Sequence, residues 1–581
     1  MAAATAMLMV VGGQAAGVSV PTASQVAMMN RGLAQFMHFS VDPWSSIEHN
    51  CVGSSNNCIP ASKFNPTNLS TDQWVETAVA FGAEEICLTA HHEGGFCLWD
   101  TKFSNYSVMH SPYGKDVVAQ FVASCNKYGV KPCYYMGPNA NGYLSNELKL
   151  SADEFVRRQL GMLTELLTNY GTDYVSRLWW DHYPGGCGGL APCPDGSFPA
   201  AWPEFVDLVR KLSPSTIICP GPDCDGHQGE SGLGKYPAWF PCTPTEGNGT
   251  ELTCGGHTPN ASLPGFHPYE ACATMHNGWF CKGDGSTRGN TYWSPGTIWD
   301  HYMNSVGIGW VNTLNAPPGT TGQIPQPLVD NMVAFGAARK QLLTPIATAT
   351  ANTTIVCGNS TAAGAGLELD VGAPVTFNAV MTREDLTGGQ RIASYAVDYW
   401  DATKESWVSF PTCKSGACVP GAPPPSGQRI PAVPQGQCGT PMLGINLVND
   451  APPSTHDVGV TSQASDCQAK CLASPPCNFW TWHDFTNVPQ YKGHCFLRDD
   501  AVYDYHPESK HVSGVCNHTL TPDGAADGPG IHGASVGARL IDFVGTTTVS
   551  KVRFRCTAAL TPDSTAVISS FSLHKGQRPP K

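Results

Sequence analysis

The sequence predicts an α/β fold: a (β/α)8-like TIM barrel, an antiparallel β-sandwich after it, and a small disulfide-rich α+β insertion in the sandwich. From residue 34 to about 340, short apolar runs are followed repeatedly by segments of helical periodicity. Such strand–helix repetition over roughly 300 residues is typical of a parallel α/β architecture. Short strand-like runs replace it after residue 343, and a Cys-dense segment spans residues 438–516.

The apolar runs that predict barrel strands lie at residues 33–39, 85–89, 131–135, 175–180 and 216–219. Helical periodicity follows at residues 71–81, 116–128, 152–170 and 201–212. The sandwich strands are predicted at residues 371–380, 391–399, 407–410, 531–543, 549–556 and 567–574. The resulting division is a signal peptide at residues 1–17, a barrel at 18–343, a discontinuous sandwich at 344–414 plus 530–577, and an insertion at 438–516.

Composition narrows the possible partners and compartments. The net charge is −13 and no Lys/Arg stripe is interleaved with aromatic residues, so we expect no nucleic-acid partner. No apolar run after the N-terminus reaches the roughly 18 residues of a membrane span. The 24 cysteines and seven Asn-X-Ser/Thr sites suit an oxidising compartment. We therefore expect a glycoprotein that is secreted or held in a lysosome- or vacuole-like compartment.

The run Leu178-Trp-Trp-Asp181 ends one of the predicted strands. A carboxylate there could cap the next helix or turn, and this stretch alone leaves that interpretation open. However, an unpaired carboxylate in an apolar wall is strongly disfavoured unless it has a use. At the carboxyl end of a barrel strand, that use is most often catalysis.

Three further clusters lie at the ends of predicted strands: His38, the adjacent His91 and His92, and the adjacent Tyr134 and Tyr135. Each taken alone could be a core or capping residue. Their recurrence at strand ends favours a site, because that face of a barrel is where sites are built. Metal catalysis is not indicated, since the sequence has neither a His-Glu-x-x-His helix nor a matching Cys-x-x-Cys pair. We expect no cofactor.

These motifs resemble the α-L-fucosidases of glycoside hydrolase family 29, over roughly residues 30–410 and 530–576. The resemblance is carried by His38-Phe39, by the stretch from His91 to Trp99, by Tyr134 and by Leu178–Asp181. Later segments are also similar: Gly278-Trp-Phe280, Ser305-Val-Gly307 and Leu314-Asn-Ala-Pro-Pro318. The Phe96-Cys-Leu-Trp99 ending resembles the branch specific for α-1,3/1,4-linked fucose.

The resemblance implies a role for each matching residue. Asp181 aligns with the nucleophile, and Trp179 is the aromatic residue just before it. The fucose-binding side chains are expected to be His38, Glu48, His91, His92, Trp99, Tyr134 and Glu270. Two departures from the family pattern are Ala90, where the family usually has Lys, and the doubled Gly after Glu93.

The general acid/base is expected to be Glu230. Gly221-Pro-Asp223 is followed at the family's offset of seven residues by Glu230, although the residues between them differ. Glu270, in Pro268-Tyr-Glu-Ala271, is the alternative acid/base or a sugar contact. A retaining glycosidase needs two carboxyl groups about 5–5.5 Å apart, one to attack carbon 1 and one to protonate the leaving oxygen.

The predicted function is that of a retaining α-L-fucosidase, which hydrolyses α-linked fucose from glycans through a covalent fucosyl-Asp intermediate. Two alternatives remain open at this point. The barrel could have lost turnover and bind fucosylated glycans as a lectin does. The protein could also be an adhesion protein that works through its insertion.

The insertion, residues 438–516, resembles a PAN/apple domain. The resemblance implies the disulfides Cys467–Cys495, Cys471–Cys477 and Cys438–Cys516, one of 15 possible pairings of six cysteines. Such modules bind protein or glycan, and a purely structural spacer is the alternative.

Overall fold

The structure of the protein is a computed structural model, which describes the following residues. These are residues 20–45, 50–51, 58–171, 174–181, 202–224, 266–286, 290–349, 352–358, 366–412, 438, 442–448, 455–474, 477, 479–483, 493–498, 504–516, 531–532, 535–560 and 565–580. The predicted signal peptide, residues 1–17, lies outside them. The chain divides into two compact units. The first is residues 1–421 with 529–581, and the second is residues 422–528.

The first unit contains a parallel sheet of seven strands, in the order β5-β4-β3-β2-β1-β7-β6. Its strands are β1 (Leu33–Met37), β2 (Glu85–His91), β3 (Lys131–Met136), β4 (Arg177–Trp179), β5 (Ile217–Ile218), β6 (Glu270–Thr274) and β7 (Val311–Asn315). All six neighbouring pairs are parallel. The sheet runs from β5 to β6 without closing in the described residues, and residues 225–265 between these two strands lie outside them. The described barrel is therefore a curled seven-stranded sheet, where the sequence predicts eight strands.

Helices alternate with these strands, as the periodicity predicts. They are α1 (Ala23–Arg31), α2 (Thr71–Phe81), α3 (Val117–Tyr128), α4 (Ala152–Thr168), α5 (Trp202–Leu212), α6 (Pro295–Met303) and α7 (Gln326–Leu343). Side-chain caps fix where several of them begin: Ser70, Asp116 and Ser151 accept hydrogen bonds from the third helical N–H of α2, α3 and α4. The apolar faces of these helices pack on the sheet around Phe81 and Phe121.

An antiparallel sheet completes the first unit. Its strands are β8 (Ala347–Ala349), β9 (Thr353–Val356), β10 (Leu367–Glu384), β11 (Ile392–Asp401), β12 (Ser406–Ser409), β18 (Leu540–Ala559) and β19 (Thr565–His574). They join as β12-β11-β18-β10-β19-β8, with β9 paired to β19. The long strands β10 and β18 pair with register shifts, where the sheet bends. The predicted antiparallel architecture is present, as one continuous sheet in the described part rather than two separate sheets.

The second unit contains strands β13 (Met442–Val448), β14 (Thr455–Val460), β15 (Phe479–His483), β16 (His494–Arg498) and β17 (Asp504–Val515) with helix α8 (Ala464–Ala473). The strands form one antiparallel sheet in the order β13-β17-β15-β16-β14. The three disulfides that the resemblance implies are all present: Cys467–Cys495, Cys471–Cys477 and Cys438–Cys516. They pack around the buried Trp480.

No described helix is long and apolar enough to cross a membrane.

Candidate active site

Side chains from four neighbouring strands meet at the carboxyl edge of the parallel sheet. His38 follows β1, His92 follows β2, Tyr135 lies near the end of β3, and Trp179 ends β4. Their rings are in contact: His92 stacks on Tyr135 with centroids 5.1 Å apart, and Tyr135 stacks on Trp179 at 5.4 Å. His38 lies 5.6 Å from His92. Because parallel strands end at one edge, residues far apart in sequence form a single aromatic wall.

Asp181 lies at the rim of this wall, two residues after β4. Its side chain is partly exposed, and its Oδ2 accepts a hydrogen bond from the Tyr135 hydroxyl at 3.0 Å. This hydrogen bond fixes the orientation of the carboxylate relative to the aromatic wall. The sequence predicts Asp181 at a strand end, and the structure places it there beside Trp179.

Trp279 and Phe280 complete the wall from the loop after β6. Phe280 contacts the rings of His38 and His92 at 5.4 and 5.0 Å, and Trp279 lies 4.8 Å from His38. The Gly278-Trp-Phe280 motif marks this segment in the sequence, but neither ring is among the predicted site residues. Phe36, two residues before His38, packs edge-on against Trp179 with ring centroids 5.1 Å apart. It forms part of the floor of the site.

The tautomer of His38 is fixed by Asn315, at the end of β7. Asn315 Oδ1 accepts from the His38 backbone N–H and lies 3.1 Å from His38 Nδ1, while Asn315 Nδ2 donates to the carbonyl of Trp279. The amide orientation makes Nδ1 the donor, so Nε2 is left as an acceptor for a hydroxyl group. Burial and the neighbouring His92 hold the pKa of His38 well below its usual value, so the ring stays neutral in mild acid.

Tyr134, the predicted sugar contact, lies on the opposite face of β3 from the aromatic wall. Successive residues of a strand point to opposite faces, and here Tyr135 takes the inner one. Tyr134 belongs to the large core between sheet and helices together with Leu178, its partner in register on β4. Tyr135 should therefore replace Tyr134 among the site residues.

His91 and Trp99 lie behind the wall. The His91 ring stacks on Trp99 with centroids 6.2 Å apart, and His91 Nδ1 lies 3.1 Å from the His92 carbonyl oxygen. Trp99 is fully buried and donates its N–H to Glu165 on α4 at 3.0 Å. The structure brings His92 into the cluster and places His91 and Trp99 in a supporting layer, because adjacent residues leave β2 on opposite sides.

Glu270, at the start of β6, lies inside the barrel rather than at its rim. It is fully buried, and its Oε1 accepts from Arg177 at 3.2 Å, from the Trp179 indole N–H at 3.3 Å and from the Thr313 hydroxyl. Arg177 also pairs with Glu85 at 2.7 Å. Burial raises the pKa of Glu270, and the Arg177 charge opposes that shift. Glu270 is thus an anchor for Trp179.

Two predicted residues, Glu48 and Glu230, lie outside the described residues. Within the part of the chain that the structure describes, no three His, Cys, Asp or Glu side chains are grouped to hold a metal ion.

Comparison with known proteins agrees with this geometry. Residues 59–337 match the model of a family described as Alpha-L-fucosidase. The protein is a glycosidase, and it is similar to the alpha-L-fucosidase family over just under half of its length. It is 27% identical over 425 residues to Alpha-L-fucosidase 1 of Arabidopsis thaliana, a match that covers 67% of this chain and 78% of the relative.

Solved structures of the family share the fold. A glycoside hydrolase 29 family member from an unknown rumen bacterium superposes with a TM-score of 0.61 at 19% identity, covering 97% of this chain and 78% of that one. A GH29 fucosidase from Ruminococcus gnavus, solved in complex with fucose, superposes with a TM-score of 0.59 at 15% identity, covering 97% of both chains. At these identities the likeness concerns the fold.

Proposed function

We propose that this glycosidase is a retaining α-L-fucosidase, with Asp181 as its nucleophile. One observation carries the proposal: a partly exposed carboxylate stands at the carboxyl edge of the barrel sheet, beside a wall of Trp, Tyr and His rings. Aromatic rings suit the apolar face of fucose and its methyl group. Neutral His38, with a free acceptor nitrogen, suits a sugar hydroxyl. The Ruminococcus gnavus relative is a fucosidase that holds fucose.

The reaction would proceed in two steps. The Asp181 carboxylate attacks carbon 1 of fucose as the bond to the leaving oxygen breaks, and a general acid gives its proton to that oxygen. The same acid, now a base, takes a proton from water, which attacks carbon 1 and releases Asp181. Each step inverts carbon 1, so the overall configuration is retained.

We assign the acid/base role to Glu230, because of its offset from Gly221-Pro-Asp223. The described geometry supports this choice over Glu270. The carboxylate of Glu270 is fully buried and bound by Arg177, Trp179 and Thr313, which leaves it poorly placed to protonate a leaving sugar.

The preferred linkage is proposed to be α-1,3/1,4, on the basis of the Phe96–Trp99 ending. A site that also grips the neighbouring sugar can use that binding energy to raise the rate. The test is a panel of α-1,2, α-1,3, α-1,4 and α-1,6 fucosides, with the first-formed anomer of fucose followed by proton NMR. Equal kcat/KM on all four linkages would remove the linkage assignment, and release of β-fucose would remove the retaining mechanism. Binding without hydrolysis of any member would favour the lectin alternative.

Secretion, or delivery to a lysosome- or vacuole-like compartment, is proposed from the cysteines. Seven disulfides join described residues, including Cys87–Cys133 between the neighbouring strands β2 and β3, and disulfides persist in oxidising compartments.

We also propose that the 438–516 insertion is an apple-like module with a protein or glycan ligand. Its removal, followed by assays of fucoside hydrolysis and glycan binding, would separate that role from catalysis.

A further inference from the structure

Three arginines converge at the start of the barrel strands, on the face opposite to the candidate active site. Arg339 lies on α7, Arg383 near the end of β10, and Arg539 just before β18. Arg383 and Arg539 both donate to Asn30, to its side-chain oxygen at 3.5 Å and its carbonyl at 2.9 Å. The Arg339 guanidinium lies over the ring of the buried Tyr302, 5.4 Å from its centroid. The barrel and the antiparallel sheet of the first unit thus each contribute arginines to one cluster.

Two glycines make room for these guanidinium groups. A Cβ added to Gly32 would lie 2.6 Å from Nη1 of Arg539, and one added to Gly82 would lie 2.3 Å from Nη1 of Arg339. Both glycines have a positive φ, +69° and +89°, and precede strands β1 and β2. The guanidinium groups therefore lie directly against the backbone where these strands begin, and any larger residue would displace them.

The hydrogen-bonding capacity of the cluster is not used up by the protein. Arg539 is 3% exposed, and within the described part of the chain its Nε and Nη1 have no hydrogen-bond partner. Nε of Arg339 also has no hydrogen-bond partner among the described residues. Buried guanidinium donors without acceptors are strongly unfavourable.

The charge of the cluster is also unbalanced. The exposed Glu84 is a carboxylate whose charge acts on Arg383 and Arg539, but no ion pair within 4.0 Å joins it to any of the three among the described residues. Burial lowers the pKa of Arg539 to about 10, with Arg383 and Arg339 adding to the shift. Burial by itself would raise the pKa of Tyr302, yet Arg339 and Arg539 bring it below its usual value. The lowered pKa of Tyr302, and the part of the Arg539 shift that comes from Arg383 and Arg339, indicate a surplus of positive charge.

We propose that Arg339, Arg383 and Arg539 bind a small inorganic anion at the junction of the barrel and the antiparallel sheet. Guanidinium groups present planar forks of donors that suit chloride and tetrahedral oxyanions such as sulfate and phosphate. The anion accepts from the unsatisfied nitrogens of Arg339 and Arg539 and compensates the surplus charge. Its role is to stabilise the first unit, since the cluster lies at the opposite end of the strands from Asp181.

The test measures the melting temperature of the full-length protein against anion concentration. The protein is exchanged into sodium gluconate, whose anion is too large for the cluster, and chloride, sulfate or phosphate replaces gluconate at constant ionic strength. A site predicts a saturable rise, on the order of 2 °C at ten times the dissociation constant. The anion whose effect saturates at the lowest concentration is the ligand that the site prefers.

Two variants and one control make the test specific. Arg539→Met keeps the side-chain stem and removes the donors, and Arg339→Gln removes one guanidinium from the partly exposed side. Both should lose the saturable rise. Arg157→Gln is the matched control, since Arg157 is an exposed arginine paired with Glu154 on α4, and it should keep the full response. If Arg539→Met does not fold, Arg339→Gln and the excess ³⁵Cl line broadening of the parent protein give the same comparison.

Two results would overturn the proposal. An equal response in the parent and in Arg339→Gln would mean that the anions act by general exclusion from the surface. Alternatively, the counter-charge could be the Tyr302 phenolate. A tyrosinate absorbance near neutral pH that Tyr302→Phe abolishes, with no dependence on any anion, would assign the compensation to that residue.

Discussion

The Tyr135 hydroxyl donates a hydrogen bond to Oδ2 of Asp181 over 3.0 Å. Tyr135 also stacks on Trp179, whose indole N–H donates to the buried Glu270. The position of the proposed nucleophile is thus connected, through two aromatic side chains, to an ion pair inside the barrel between Glu270 and Arg177. The rim of the site is oriented by the barrel interior and not by the loops alone.

Replacing Tyr135 by Phe should lower kcat/KM for an aryl fucoside by about 10- to 100-fold. The ring stays in its stack, but the carboxylate loses a hydrogen bond of roughly 1.5–3 kcal/mol, the value for bonds to charged groups. The measurement is steady-state kinetics on the purified variant, together with its melting temperature.

Tyr134→Phe is the matched control for that variant. Tyr134 lies on the opposite face of the same strand, in the core, and its hydroxyl has no hydrogen-bond partner among the described residues. We expect its activity to stay within about twofold of the parent, since removing an unsatisfied buried hydroxyl is close to neutral. A large loss in Tyr134→Phe with none in Tyr135→Phe would return the sugar contact to Tyr134.

Glu230→Ala and Glu270→Ala should fail in different ways. Removing the acid/base hurts natural oligosaccharides far more than an aryl fucoside with an activated phenol, because the phenol needs little protonation. In Glu230→Ala the covalent intermediate should accumulate, and azide, which needs no base, should restore turnover and give the α-fucosyl azide.

Glu270→Ala should instead lose stability. It leaves Arg177 with Glu85 as its remaining carboxylate partner, and breaking a buried pair costs about 3–5 kcal/mol. We expect a lower urea midpoint, a similar loss of rate on both substrate types, and no response to azide. Azide rescue with leaving-group dependence in Glu270→Ala, and neither in Glu230→Ala, would transfer the acid/base role to Glu270.

The stability of the first unit should fall between pH 6.5 and 4, in part because of His91. Burial lowers the pKa of His91 to about 4, whereas an unfolded histidine titrates near 6.5. Between these values the unfolded chain binds a proton that the folded chain does not, so stability falls as the pH falls. The contribution is about 3 kcal/mol, fully present above pH 6.5 and lost as the pH falls to 4.

His91→Gln should flatten this dependence, even though the substitution itself lowers stability at every pH. Urea unfolding of the parent and the variant at several pH values from 7 to 4 measures the difference in slope, which should amount to about one proton. His110→Gln changes an exposed histidine and serves as the control. Parallel curves for parent and His91→Gln would mean that His91 binds its proton equally in the folded and the unfolded protein.

Alternation of strand and helix predicts most of the described barrel sheet, because its strands are short and apolar and several are followed by capped amphipathic helices. The helix predicted at residues 71–81 spans Thr71–Phe81, and the strand predicted at residues 131–135 spans Lys131–Met136. Asp181, Trp179 and His38 were predictable for the same reason, since a polar or aromatic residue directly after such a strand must lie at the carboxyl edge.

The remaining site residues depend on information that the sequence pattern does not carry. Tyr134 and Tyr135 are chemically equal in sequence, and only the register of β3 against β4 decides which one faces inward. In the sequence, Glu270 resembles a carboxylate at the rim of the barrel. Its contact with Arg177, 93 residues earlier, places it in the interior. Asn315 and Phe280 lie in motifs that the sequence marks, but their roles depend on His38 and His92, which are distant in sequence, so the motifs alone do not assign those roles.

The most direct test of the account is covalent capture of the nucleophile. A fucosyl fluoride with fluorine in place of the 2-hydroxyl forms the glycosyl-enzyme, then hydrolyses slowly, because the fluorine destabilises the oxocarbenium-like transition state while fluoride remains a good leaving group. Digestion and tandem mass spectrometry then locate the adduct. We predict one fluorofucosyl group, esterified to Asp181, and no adduct in Asp181→Ala. A label on any other carboxylate, or undiminished turnover of an aryl fucoside by Asp181→Ala, would contradict the account.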